Sequence, residues 1–321
     1  MPASREIVAA RAFRESKKQD FPRHDAAIAL RFGQSGESFW LGAMFRFASL
    51  LPVPARIQRP GAAGKPKAVT PVSLAKIRWY AARLAAMSLP EVAHRVRELA
   101  LKRLWSGNRR GWDHFAAARQ GVPADLSGLR ARLALGARAA EGAVERLQAG
   151  RLSGLGQTVD ENLGPALWFV DPVSRRPWPG ADSYCFDIDV RTTGQGLGDV
   201  KFVWEINRMQ FLHPLAAGIA ANPSAQLIDR AFAILEGWAE ANPPFQGVNW
   251  FSGIELAMRM VSVTLVVAAI PPSLVSAERL AFLQRFVAAH AFWLHRYPSR
   301  YSSANNHLVA EGLGLLLAGS L

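Results

Sequence analysis

Residues 249–274 read NWFSGIELAMRMVSVTLVVAAIPPSL, and both ends of a helix are written into them. Ser252, followed three residues later by Glu255, is a capping-box pattern for a helix start. Pro271-Pro272 stops the helix, because proline has no N–H to donate and clashes with the preceding turn. The spacing predicts a helix over 252–270. Its apolar part, Met260 to Pro272, is too short to span a bilayer and follows Arg259. Glu255 and Arg259 are four apart and can pair on one face.

The same punctuation recurs on both sides. Helices are expected near 200–221, 224–242, 277–297 and 304–318, with breaks at Asn222-Pro223, Asn242-Pro243-Pro244 and Pro298. Connections this short make neighbours antiparallel hairpins, two complete and half of a third. The fold class is mainly α. Upstream, SLPEVAHRVRELALKRLW (88–105) starts well: Ser88 caps, Pro90 suits the first turn and Glu91 follows Ser88 by three. Val92, Val96, Leu99, Ala100 and Leu104 are expected to form its apolar face. Residues 125–150 also read as helical. Residues 151–199 form an aromatic-rich connecting segment in which SYCFDIDVR (183–191) alternates like a short strand. Four regions result: a basic, Pro/Gly-rich and partly disordered segment 1–71, N-terminal helices 72–150, the connection 151–199 and the helical array 200–321.

The chain has 321 residues, 10 Trp and 17 Phe, enough for a sizeable core. A single cysteine, Cys185, excludes an internal disulfide framework. The net charge of +13 is unevenly placed. Residues 1–160 hold 27 Lys+Arg against 12 Asp+Glu, net +15, and residues 161–321 hold 11 against 13, net −2. Such a field attracts a polyanion in a salt-dependent way. No nucleic-acid module is visible, so no nucleic-acid partner is expected. No transmembrane segment and no signal peptide are read, which gives a cytoplasmic default, or a periplasmic protein if the start is miscalled.

Three stretches could carry chemistry. In KFVWEINR (201–208), Lys201, Glu205 and Arg208 share one polar stripe, with Trp204 beside it. In NWFSGIELAMR (249–259), Asn249 and Trp250 precede the helix, an amide and an indole suited to a sugar's hydroxyls and ring face. In YSSANNH (301–307), Asn306 and His307 fall in the first turn of the last helix, where free N–H groups and the helix dipole favour a carboxylate. Glu311, four after His307, is expected to hold its imidazole. No cofactor and no metal set are read.

KFVWEINR, NWFSGIELAMR and SSANNHLVAEGLGL, in that order, resemble the heparinase II/III-like family of polysaccharide lyases. RWYAARLAAMSLPEVAHRVRE (78–98) and ALWFVDPVSRRPWP (166–179) resemble the N-terminal helices and connecting segment of its bacterial members, so the resemblance spans roughly 76–321. It implies an (α/α) toroid followed by a β-sandwich, and β-elimination at a uronic acid of an acidic polysaccharide, a glycosaminoglycan or alginate-like chain. It assigns carboxylate neutralisation to Asn306 and proton transfer to His307, with Arg208, Glu205, Asn249, Trp250, Glu255, Arg259 and Tyr301 lining the substrate. The family's acid tyrosine lies well downstream of the Asn-His pair, and no tyrosine matches it here. The expectation is therefore an incomplete toroid without the sandwich, a truncated member of doubtful activity alone. Its leucine-rich last helix is expected to self-associate. The alternatives are a non-catalytic acidic-glycan binder and a toroid glycoside hydrolase using Glu205, Glu255, Asp187 or Asp189.

Overall fold

A computed structural model describes residues 82–83, 85–108, 110–116, 124–154, 156–191, 196–302 and 304–321. The basic segment 1–71 and the helix start near Val72 lie outside the described residues. Nine α-helices are found among those described: α1 (Leu89–Trp105), α2 (Ser127–Ala134), α3 (Ala137–Gln148), α4 (Val200–Asn207), α5 (Leu212–Ala221), α6 (Ala225–Ala241), α7 (Gly253–Ala269), α8 (Ala277–Arg296) and α9 (Asn306–Ala318). One hairpin, β1 (Arg151–Gly154) with β2 (Gln157–Asp160), pairs antiparallel and buries Leu152 opposite Val159. The protein is mainly α. None of these helices is long and apolar enough to cross a membrane.

All the expected proline breaks fall between helices. Serine caps start three of them, with Ser88, Ser224 and Ser276 accepting from the N–H of Glu91, Leu227 and Arg279. Ser252 departs from expectation. Neither bond of the box forms: the Glu255 N–H goes to the Ser252 backbone carbonyl at 3.1 Å, and the Glu255 carboxylate goes to Arg208.

α7 is the central element, burying residues on all sides and packing on α2, α5, α8 and α9. α6 and α8 are amphipathic, each burying one stripe. α9 lies along α7 in parallel, because Glu311 abuts Gly253 and Gly314 abuts Ala257. The N-termini of α7 and α9 therefore share one end of the array. The outward stripe of α9 is Val309, Leu313 and Leu316.

Four expectations are corrected. The helix expected over 200–221 breaks between α4 and α5, where Met209 takes a left-handed φ of 60°. The carbonyls that would continue it are taken elsewhere: Asn207 O accepts from Arg259 and Arg208 O from Ser262, each at 2.7 Å. The helix expected over 125–150 divides into α2 and α3 around Gly136. The strand expected over 183–191 is a 3-10 turn at Cys185–Asp187. Its buried positions, Cys185 and Ile188, are three apart, the period of that turn and not of a strand. Finally, α1 is turned over. Of its expected core face only Val92 is half-buried, and Val96 53%, Leu99 57% and Leu104 78% stand exposed with Ala100. Inward go Lys102, 4.2 Å above the Phe186 ring, and Trp105, 4.7 and 4.8 Å from the Phe245 and Phe292 rings. The Tyr184 hydroxyl also donates to the Lys102 carbonyl at 2.7 Å.

The α7–α9 contact gives a paired prediction. A Cβ on Gly314 would meet Leu294 Cδ1 at 2.9 Å and Ala257 Cα at 3.0 Å, whereas one on Gly312 would meet nothing within 4 Å. Gly314→Ala should lower the free energy of unfolding by about 1–3 kcal/mol through overpacking. Gly312→Ala should raise it by roughly 0.5–1 kcal/mol through helix propensity. Urea titration of both variants checks this, and a stabilised Gly314→Ala would contradict the packing.

Candidate functional site

The site is built outward from a buried cation. Arg259 is wholly enclosed on α7. Its Nε donates to Asn207 O at 2.7 Å, Nη2 to Asn249 O at 3.2 Å and Nη1 to His290 Nε2 at 3.0 Å. The guanidinium carbon stands 4.1 Å from the Trp238 ring centroid. A guanidinium only donates, so His290 Nε2 accepts, and its Nδ1–H donates to Phe286 O at 2.8 Å. His290 is therefore the neutral imidazole. Burial and the neighbouring Arg259 hold its pKa well below the usual histidine range. Burial also draws Arg259 down to about 9, opposed by Glu255, which leaves it cationic at neutral pH.

Around this cation runs a network of amides and indoles. Asn207 donates to Trp168 O and accepts from Trp238 Nε1, at 2.9 and 2.7 Å. Asn249 donates to the same Trp168 carbonyl and to Asn242 Oδ1, at 2.8 and 2.9 Å. Trp250 Nε1 donates to Asn242 O, and its ring packs on Phe245, Trp238 and His290. The sequence reading missed Asn207, Trp238, Asn242 and His290. The signal available was Arg259 itself, since a cation in an apolar run requires acceptors from other elements.

Toward the α7 N-terminus, Arg208 bridges two carboxylates. Its Nε and Nη2 bond Glu255 at 2.7 and 3.1 Å, and its Nη1 bonds Glu205 at 2.7 Å. The bonds to Glu255, chiefly, hold the Arg208 pKa above its ordinary value, while burial opposes them. Taken as ions, the three side chains sum to one negative charge. Both carboxylates are held by one cation.

At the same end, Asn306 is exposed and His307 half-buried in the first turn of α9. Asn305 Oδ1 accepts from Asn306 N at 2.8 Å. Tyr301, 40% exposed, lies in the preceding turn. Among the described residues no metal-binding group of three or more His, Cys, Asp or Glu occurs. A cleft of about 200 Å³ lined by Trp112, Glu236, Ala239, Glu240, Phe282 and Arg285 includes none of the expected residues.

The structure thus joins Glu205, Arg208 and Glu255, and sets Asn306, His307 and Tyr301 at the same end. It places Asn249, Trp250 and Arg259 inside, where each has internal partners in place of a sugar. The expected Glu255–Arg259 pair does not form, because Glu255 is taken by Arg208. Glu311 does not hold His307 either: it accepts from Ser299 N and Oγ at 2.8 and 2.6 Å, which anchors the turn before α9.

Residues 175–321 match the family model described as Heparinase II/III N-terminus. The match begins inside the connecting segment and takes in α4 to α9; α1 to α3 and the hairpin lie outside it. No curated protein and no solved structure matches the chain.

The neutral histidines set a pH dependence. His290 and His213 both have lowered pKa values through burial, so their unfolded forms bind protons that the folded forms refuse. Their stability is complete above the unfolded pKa of about 6.5 and is lost as pH falls below it, at up to ~1.4 kcal/mol per pH unit for each. Urea midpoints should fall between pH 7.5 and 5.5, and His290→Gln should flatten the slope. A midpoint unchanged over that range would contradict the neutral assignment.

Proposed function

We propose that this chain, whose residues 175–321 belong to the heparinase II/III-like family, acts on an acidic, uronate-containing polysaccharide by β-elimination. The observation that carries the reading is the exposed Asn306 beside His307 in the first turn of α9, at the end of the array where α7 also begins. Elimination needs the uronate carboxylate neutralised, so that the proton on the adjacent ring carbon becomes acidic. The Asn306 amide and the first-turn N–H groups suit that task. His307 takes the proton; as the electron pair moves to form the new double bond, the glycosidic C–O bond breaks. The leaving oxygen then takes up a proton. The negative Glu205–Arg208–Glu255 triad supports α4 and α7 and leaves the substrate's carboxylate to α9. Alternate helices packing in sequence, α5 on α7 and α7 on α9, with α6 and α8 each burying a single stripe, support an arc of an (α/α) toroid.

A second reading is a non-catalytic binder of acidic glycans. One observation favours it: of the two tyrosines nearest α9, Tyr297 is buried and its pKa is pushed up to about 12 by burial, which suits it poorly to proton transfer. The outward stripe of α9 supports self-association in either case.

The test is ultraviolet absorbance of unsaturated product from uronate polymers. The wild-type chain should generate it, and Asn306→Ala should lose about 100–1000-fold in rate. Salt-sensitive binding without absorbance would leave the binding reading. Absorbance unaffected by Asn306→Ala would reject the assignment of the carboxylate to α9.

A further inference from the structure

α1 lies outside the family-matched span and presents the wrong face to the body by hydrophobic criteria. Leu89, Val96, Leu99 and Leu104 are exposed, while Glu91, His94, Arg95, Glu98 and Lys102 line the half-buried side. Burying a large aliphatic side chain is worth about 1.5–3 kcal/mol, and the inner side offsets that loss with the Trp105 ring against Phe245 and Phe292 together with polar contacts. Two contacts of α1 meet the turn that precedes α9. Arg95 Nη2 donates to Tyr301 O at 3.3 Å. The His94 ring lies 5.3 Å from the Tyr301 ring at a tilt of 58°. Both side chains are braced within α1. Arg95 Nε and Nη2 bond Glu91 Oε1 at 3.0 and 2.8 Å, and Glu98 stands 3.8 Å from His94 and 2.6 Å from Lys102.

We propose that α1 is a working part of the site, with His94 and Arg95 as positioning residues that hold the Tyr301 turn, and through it Asn306 and His307, in the pose that meets a polyanion. The turn is clamped from two sides: Glu311 bonds Ser299 from α9, and Arg95 bonds Tyr301 from α1. Nearer α9, Asn305 Oδ1 accepts from Asn306 N at 2.8 Å, a local bond that does not tie the turn to the body. The Tyr301 ring, backed by His94, then offers an apolar face beside the carboxylate-binding turn, a surface suited to one sugar ring. The role of this surface rests on the proposed reading of α9; the clamp itself does not.

Hydrogen exchange over residues 297–308 and affinity for a mannuronate hexamer, measured together on the full chain, test it. Arg95→Ala should speed exchange in that turn alone and weaken binding roughly fivefold to tenfold. Arg95→Lys should restore part of both, and Leu99→Ala, an exposed and uncharged neighbour on the same helix, should change neither. His94→Ala should weaken binding in the same direction. If the wild type binds without producing absorbance, the lyase reading fails and the clamp stands. Exchange unchanged at 297–308, or raised throughout the chain, would overturn the proposal. So would faster exchange there with affinity intact, or a wild type that does not bind the hexamer.

Discussion

A cation sealed inside an apolar helix is the constraint on which the rest of this structure depends. Arg259 sits wholly buried on α7, and a buried charge is tolerated only with its hydrogen bonds made. Meeting them takes a carbonyl from the end of α4, a carbonyl from the turn before α7 and an imidazole from α8. Each acceptor is itself fixed: Asn207 and Asn249 both donate to the Trp168 carbonyl, and His290 donates within its own helix. Four separate parts of the chain are thereby referred to one point.

The candidate site follows from that registration. Taking the Asn207 carbonyl ends α4 and swings Arg208 toward the α7 N-terminus, where Glu255 meets it. Glu255 leaves its capping role to do so, and Arg259 loses the partner that spacing alone would have given it. α9 is then brought alongside α7 by two glycine contacts, which sets Asn306 and His307 at the end where Glu255 stands. The buried network and the exposed turn are thus successive layers, the inner giving position and the outer offering chemistry.

How much of this was legible in the sequence differs with the kind of signal. Prolines, serine caps and the Asn305–His307 start are local, and they placed α6 to α9 within a residue or two. What depends on tertiary partners was not legible. The helix over 200–221 carries one local warning, Pro214, whose ring opposes a helix running through Gln210, but the placement of the break at Met209 depends on Arg259 and Ser262. α1 has a clean apolar stripe, yet its orientation is set by Phe186, Phe245, Phe292 and Tyr301, all distant in the chain. Asn249 and Trp250 suit a sugar by type, but their neighbours turn them inward. Glu311 stands at the right spacing for His307 and is claimed by Ser299 instead.

The geometry of the Arg259 guanidinium, and not merely its charge, holds these elements together. Equilibrium unfolding of Arg259→Lys tests it most directly. Lysine keeps the charge but cannot reach three divergent acceptors, so acceptors and charge are both left poorly satisfied, and the variant should lose about 3–5 kcal/mol. A variant within roughly 0.5 kcal/mol of the wild type, the range of an ordinary surface substitution, would contradict the claim.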